Sequence, residues 1–209
     1  MTGAEADDLT VPAAAGLRIG QGFDVHRFSG DPSRPLVLGG VTIEGAPGLE
    51  GHSDADALCH AVADALLGAG ALRDLGTHFP DTDARWQGAS SLGLLATVVA
   101  MLRRRGLVPV NADCTVVCEA PKLAPHVPTM AERLGQALGA PVSVKATRAE
   151  GLGALGRGEG IACVAVVLVA AGAVQPTGAV QPTGAVQPAV PPQPSGGHAP
   201  GHHGPGGAP

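Results

Sequence analysis

A chain of 209 residues, 44% of them apolar, is long enough to bury one domain core, and its formal net charge of −5 argues against a nucleic-acid footprint. With no Tyr and a single Trp, Trp86, it lacks the aromatic platform on which bases stack. Its four cysteines (Cys59, Cys114, Cys118 and Cys163) form no CxxC pair, so they read as reduced, buried thiols of a cytosolic protein rather than a disulfide framework or a zinc knuckle. No signal peptide is expected. The most apolar stretch, "IACVAVVLVAAGAV", is too short and too β-branched for a membrane span and reads as a buried strand.

Composition divides the chain into a small, acidic, disordered lead-in (residues 1–16), one patterned domain (17–171) and a disordered tail (172–209). The tail repeats "GAVQPT" and then becomes Pro/Gly-rich, with His198, His202 and His203; it has no aromatic residue with which to build a core. Within the domain, "LRIGQGFDVHRF" and "PLVLGGVTI" read as strands. "SDADALCHAVADALLGAG" reads as a helix opened by Ser53-x-x-Asp56 and stopped at Gly68. A second helix is expected in "SSLGLLATVVAMLRRRG", with arginines in its last turn, and Gly106 follows them. "ADCTVVCEA" reads as a strand, "VPTMAERLGQALG" as a helix, and "VSVKAT" and "GIACVAVVLV" as strands. Helices and strands do not alternate strictly, so the expected class is α+β, a single mixed sheet with helices packed on one face.

Two patterns carry chemistry. Asp24 and His26 are two apart in the first strand and project to one face, while Phe23 and Val25 face the other way, toward a core. An aspartate and a histidine converging from one strand supply half a zinc site, or else form a hydrogen-bonded pair near a strand end. In the first helix, Asp56, His60 and Asp64 lie at i, i+4 and i+8 beside the apolar stripe of Leu58, Val62 and Leu66. That stripe reads as a solvated face, or else it makes His60 a third ligand with Asp56 or Asp64 on its other ring nitrogen. His52, in the loop before the helix, competes for the ligand role.

"RIGQGFDVHRF", "LVLGGVTI", "GLEGHSDADALCHAVADALLGAGALRDLG", "FPDTD", "EAPKLAPH", "VKAT" and "GRGEGIAC" stand here in the order and spacing of the 2-C-methyl-D-erythritol 2,4-cyclodiphosphate synthases, and the chain resembles that family from Leu17 to Val169. The cysteine usage implies a cytoplasmic location, and the resemblance implies a homotrimer with active sites between subunits. It also implies conversion of 4-diphosphocytidyl-2-C-methyl-D-erythritol 2-phosphate to the cyclodiphosphate and CMP, in isoprenoid precursor synthesis. No nucleic-acid or membrane partner is implied. Zinc ligands then fall on Asp24, His26 and His60. His52 falls on a residue that stabilises the transition state, and Ser53 on one that contacts substrate. Asp74, Leu75 and Gly76, with Phe79, Pro80, Asp81, Thr82 and Asp83, fall on loops around the methylerythritol end; without the resemblance, "PDTD" reads only as an Asx-type turn. Cys118, Glu119, Ala120, Pro121, Lys122, Leu123 and Ala124 match the cytidine pocket. Glu150 matches the holder of a second divalent ion, magnesium or manganese, on the phosphates. Arg157 and Glu159 match residues near a central channel that can hold an isoprenoid phosphate.

The chain departs from the family pattern at Arg148 and Ala149, which replace threonines after Thr147, and at Ala154, which replaces an aromatic residue. Thr147 and Arg148 thus occupy the catalytic threonine positions, and a guanidinium at 148 can still donate to phosphate. Glu119 stands where a neutral residue is common. Readings from other classes are a nucleotide-binding module without turnover and a zinc phosphoesterase; the latter lacks a clear general base near the ligands.

Overall fold

The structure, a computed structural model, describes residues 16–172; the expected lead-in and tail, apart from Gly16 and Gly172, lie outside the described residues. In chain order the elements are β1 (Leu17–Arg27), β2 (Pro35–Leu38), β3 (Val41–Pro47), α1 (Ala57–Ala69), α2 (Leu75–His78) and a 3-10 turn (Ala84–Trp86). They continue with α3 (Ser91–Arg104), β4 (Leu107–Val117), α4 (Val127–Leu138), β5 (Val142–Thr147), α5 (Gly153–Gly156) and β6 (Gly160–Ala171). A mixed sheet runs in the order β1-β6-β4-β5, with β4 and β5 parallel and the other pairs antiparallel. α1 packs on β1 and β6, and α4 on β5, with α3 between the two helices. The class is α+β with the helices on one face, as expected. What the sequence reading joins as "PLVLGGVTI" is instead a separate two-stranded sheet of β2 and β3. Its turn residues Gly39 and Gly40 have φ of +57° and +73°, the left-handed pair that a two-residue hairpin favours.

α1 starts later than the Ser53 opening implies. Asp56 is its N-cap and accepts from the Cys59 N–H at 3.0 Å. The same buried carboxylate accepts from the Gly39 and Gly40 N–H groups at 2.8 and 2.6 Å, tying the hairpin turn to the helix start. The helix is buried on most sides because it lies between the sheet and α3. Leu58, Leu66 and Leu67 are fully enclosed, each contributing about 1.5–3 kcal/mol. In α4, Met130, Leu134 and Leu138 make a narrower stripe at i, i+4 and i+8, and Gly139 closes the helix in the left-handed conformation. β4 begins at Leu107, five residues before the expected strand, and takes a bulge at Val110, between Pro109 and Asn111.

Two glycines decide how close α1 comes to β1. A Cβ on Gly20 would lie 1.8 Å from the Ala65 carbonyl oxygen, and one on Gly22 2.0 Å from that of Ala61. Helix backbone therefore rests on strand backbone, and the next two residues on that face of β1 are Asp24 and His26. The opposite face corrects the sequence reading. Phe23 and Val25 do not reach a core; they are 55% and 53% exposed, in line with Ile19 at 72%, on the face of the sheet that no helix covers.

Candidate metal centre and adjoining loops

The close seating of α1 on β1 brings three side chains together. Asp24 Oδ2 lies 3.0 Å from His26 Nε2 and 3.0 Å from His60 Nδ1, and the three ligand atoms fall within 4.8 Å of one another. Two imidazole nitrogens and one carboxylate oxygen are a zinc donor set, and three protein ligands leave a position open. The electrostatics suit a cation. Burial pushes the Asp24 carboxyl up, but hydrogen bonds and charge from His26 and His60 outweigh it and hold the group well below the usual carboxylate range. The hydrogen bond to Asp24 raises the His26 pKa, against the effect of burial.

The outer nitrogens of both rings are tied. His26 Nδ1 is 2.5 Å from the Glu50 carbonyl, which can only accept, so that nitrogen carries hydrogen and Nε2 faces the cluster. His60 Nε2 is 2.9 Å from Ser91 Oγ and 3.2 Å from Ser53 Oγ. Neither carboxylate expected behind His60 holds that position. Asp56 serves the helix cap and hairpin turn, and Asp64 accepts from the Leu75 N–H at 2.7 Å, its pKa raised by burial. Sequence reasoning misses Ser91 and Asp54 altogether. Ser91 reads as an ordinary helix start, and only the packing of α3 against α1 brings it to the ring.

A cleft of about 270 Å³ opens over the cluster, lined by His26, His60, His52, Ser53, Leu75, Phe79, Asp81, Trp86 and Leu94. His52 is not among the three grouped ligands; its Nε2 lies 3.3 Å from the Asp83 carbonyl. The surrounding loops are built by short caps. Asp74 Oδ1 accepts from the Thr77 N–H and hydroxyl, both at 2.8 Å, starting α2, which holds Gly76. Asp83 caps the 3-10 turn and pairs with Arg85 at 2.6 Å. Phe79 meets Trp86 edge-on at 5.0 Å, closing one wall, while Pro80 and Thr82 complete the loop.

The remaining candidates gather elsewhere, at the ends of β4 and β5. The Cys118 N–H donates to the Thr147 carbonyl at 3.1 Å, and Glu119 Oε1 accepts from the Ala149 N–H at 2.9 Å and the Gly151 N–H at 3.4 Å. Glu119 therefore pins the turn that carries Glu150, a residue with φ of +52°, which supplies a physical reason for a carboxylate at 119. Thr147, Arg148, Glu150, Lys122 and Ala124 are exposed, and Leu123 is buried. A second cleft of about 280 Å³ is lined by Ala120 and Pro121 together with Phe28, Gly45, Ala46, Pro47 and Gly158. Arg157 Nε donates to Glu159 Oε1 at 2.7 Å on an exposed turn, and Ala154 is exposed beside it.

Register relates the two groups. Asp24 pairs with Cys163, Cys163 with Val116 and Val116 with Ala146, so both groups sit at the same end of the sheet but on opposite edge strands. Three strand spacings separate the edges, about 14 Å.

Fold and cluster together define an α+β protein with a candidate three-ligand metal site cradled between an edge strand and its covering helix. The model of the YgbB family matches residues 17–170, and the chain belongs to that family. It is 58% identical over 157 residues to a 2-C-methyl-D-erythritol 2,4-cyclodiphosphate synthase of Symbiobacterium thermophilum, covering 74% of this chain and 99% of that one. Among solved structures it is similar to the bifunctional IspDF of Campylobacter jejuni, with a TM-score of 0.71 and 39% identity, covering 74% of this chain and 42% of that one. It is also similar to a CDP complex of IspF from Plasmodium falciparum, with a TM-score of 0.65 and 30% identity, covering 75% of this chain and 97% of that one.

Proposed function

We infer that the chain is a phosphorus–oxygen lyase that cyclises 4-diphosphocytidyl-2-C-methyl-D-erythritol 2-phosphate to 2-C-methyl-D-erythritol 2,4-cyclodiphosphate with release of CMP, supplying isoprenoid precursors. The observation that carries the reading is the convergence of Asp24, His26 and His60 beneath a cleft lined by His52, Ser53 and the 75–81 loop. The catalytic unit we propose is residues 17–171, working in the cytoplasm, and the free, buried state of all four cysteines suits a reducing compartment. Among the described residues no helix is long and apolar enough to cross a membrane.

The substrate brings its own nucleophile, a 2-phosphate oxygen, and its own electrophile, the β-phosphorus. One P–O bond forms there as the bond to the α-phosphate breaks, and CMP leaves with that electron pair. Zinc held by Asp24, His26 and His60, with magnesium or manganese held by Glu150, would polarise the β-phosphate and offset phosphate charge. The protein's task is then placement, which can remove about 7–11 kcal/mol in the best intramolecular cases. His52 and Ser53 donate to the phosphate over the cluster. Asp74–Gly76 and Phe79–Asp83 enclose the methylerythritol end, and Cys118–Ala124 receive the cytidine. Thr147 and Arg148 donate to the diphosphate, and Arg157 borders the channel.

The sheet edges that carry the two groups lie about 14 Å apart by strand spacing, against about 3.5–4 Å between paired catalytic ions, which favours a site shared between copies. In this reading a neighbouring copy supplies the 118–124 and 147–150 segments, in a homotrimer joined through the uncovered face of β1. The apolar exposure of Leu17, Ile19, Phe23 and Val25 supports that assembly.

The deciding experiment follows CMP and cyclic product from the purified chain with and without chelator. Equal amounts of both, abolished by chelation and restored by zinc plus magnesium, are expected. Inorganic phosphate would mark a hydrolase, and nucleotide binding without product a module that has lost turnover.

A further inference from the structure

Behind the metal cluster runs a line of polar contacts that the reaction above leaves without a role. Ser91, the first residue of α3, is 1% exposed. Its N–H donates to Asp54 Oδ2 at 3.0 Å, and its hydroxyl donates to Asp54 Oδ1. With its only O–H proton committed to Asp54, Ser91 Oγ can meet His60 Nε2 only as an acceptor, at 2.9 Å. Nε2 must then carry hydrogen, so in the neutral ring Nδ1, 3.0 Å from Asp24 Oδ2, is the nitrogen that can bind a cation. Ser53 Oγ, 3.2 Å from the same Nε2, accepts from the Ala55 N–H.

We propose that Asp54 and Ser91 are positioning residues that set the tautomer and orientation of His60, presenting Nδ1 to the metal. This rests on reading Asp24, His26 and His60 as metal ligands. A plain helix cap explains part of the geometry, since Ser90 makes no side-chain cap bond and Asp54 takes an N–H of the first turn. It does not explain why the Ser91 hydroxyl is held between a carboxylate and an imidazole. On His26 the Glu50 carbonyl performs the same task, so each imidazole of the site has its outer nitrogen tied by an acceptor.

The test uses the full chain labelled with 15N-histidine. Zinc affinity is measured by competition with a chromophoric chelator, and ring tautomers by long-range 15N–1H correlation. In the zinc-loaded wild type, His60 is expected to show a protonated Nε2 and a metal-bound Nδ1. Ser91→Ala should lower zinc affinity about 10- to 100-fold and, in the metal-free chain, lose the fixed Nε2 proton. Asp54→Asn fills the same space but turns an amide N–H₂ toward one Ser91 donor, and should give a smaller loss of the same kind, a second route should Ser91→Ala not fold. Variants that lose thermal stability yet keep wild-type zinc affinity and the wild-type tautomer would reduce the pair to a helix cap and overturn the proposal. A wild-type chain that binds no zinc would instead overturn the metal assignment beneath it.

Discussion

The two groups of candidate residues, one on β1 and α1 and the other beyond β4 and β5, differ in how far the chain organises them by itself. Asp24, His26 and His60 are partly buried and lie within contact of one another, and the histidines are fastened from behind by Glu50, Ser91 and Ser53. Thr147, Arg148 and Glu150 are exposed on a turn that one carboxylate, Glu119, holds by backbone hydrogen bonds. A metal centre requires several ligands within ångströms of each other, which a strand and helix in close contact can fix before any ligand arrives. The exposed turn proposed to meet the nucleotide phosphates carries no such requirement within one chain. Preorganisation within one chain is thus concentrated at the candidate metal cluster.

The contrast breaks most sharply at the cluster. Asp24→Ala or His60→Ala should remove stoichiometric zinc and lower turnover by at least about a hundredfold, the scale of losing one fixed transition-state stabiliser. Metal analysis and CMP release check this together. Phe23→Lys tests whether the two groups must come from different copies. Light scattering should show the proposed trimer dissociating and turnover should collapse at low protein concentration, while monomer stability moves by no more than about 0.5 kcal/mol, as for an ordinary surface change.

Proton competition sharpens the cluster side. The folded His26 pKa is raised, so its pairing with Asp24 stabilises the metal-free chain fully below pH 6.5 and is lost as pH rises through the raised value. The folded Asp24 pKa is lowered, so its contribution is present above 3.8 and is lost as pH falls through the lowered value. Zinc must displace the proton from His26 Nε2. Its affinity should therefore climb up to about tenfold per pH unit until His26 is neutral, then level off, as a pH series of chelator competitions would show. The smallest effect belongs to the loop. Glu119→Ala frees the Ala149 and Gly151 amides, costing about 1 kcal/mol, and Glu119→Gln should restore most of it. The readouts are faster hydrogen exchange at those amides and a higher KM with little change in zinc binding.

Much of this was legible in the residues. Two-residue alternation placed Asp24 and His26 on one face of β1, because strand side chains alternate whatever the surroundings. The helical repeat likewise placed His60 on α1, and the ordered motifs carried the family resemblance. The helix start was misplaced because Ser53 and Asp56 are both good caps, and the choice fell to Asp56 through its bonds to the Gly39–Gly40 turn, which is distant in sequence. Phe23 and Val25 look like core residues because local pattern cannot tell a face covered by helices from one left bare.

The sequence alone determined the α+β class, the long helices and the main-sheet strands, and the donor types of the three clustered residues, since these follow from local periodicity and from the donor atoms each side chain carries. Only the tertiary structure decided which residues meet. Gly20 and Gly22 let α1 settle backbone to backbone on β1 and bring His60 to Asp24. The packing of α3 carries Ser91 to the far side of the same ring, where Asp54, from the loop before α1, holds its hydroxyl. Contacts between residues some 30 positions apart depend on how closely the elements pack, and neither periodicity nor spacing records that distance.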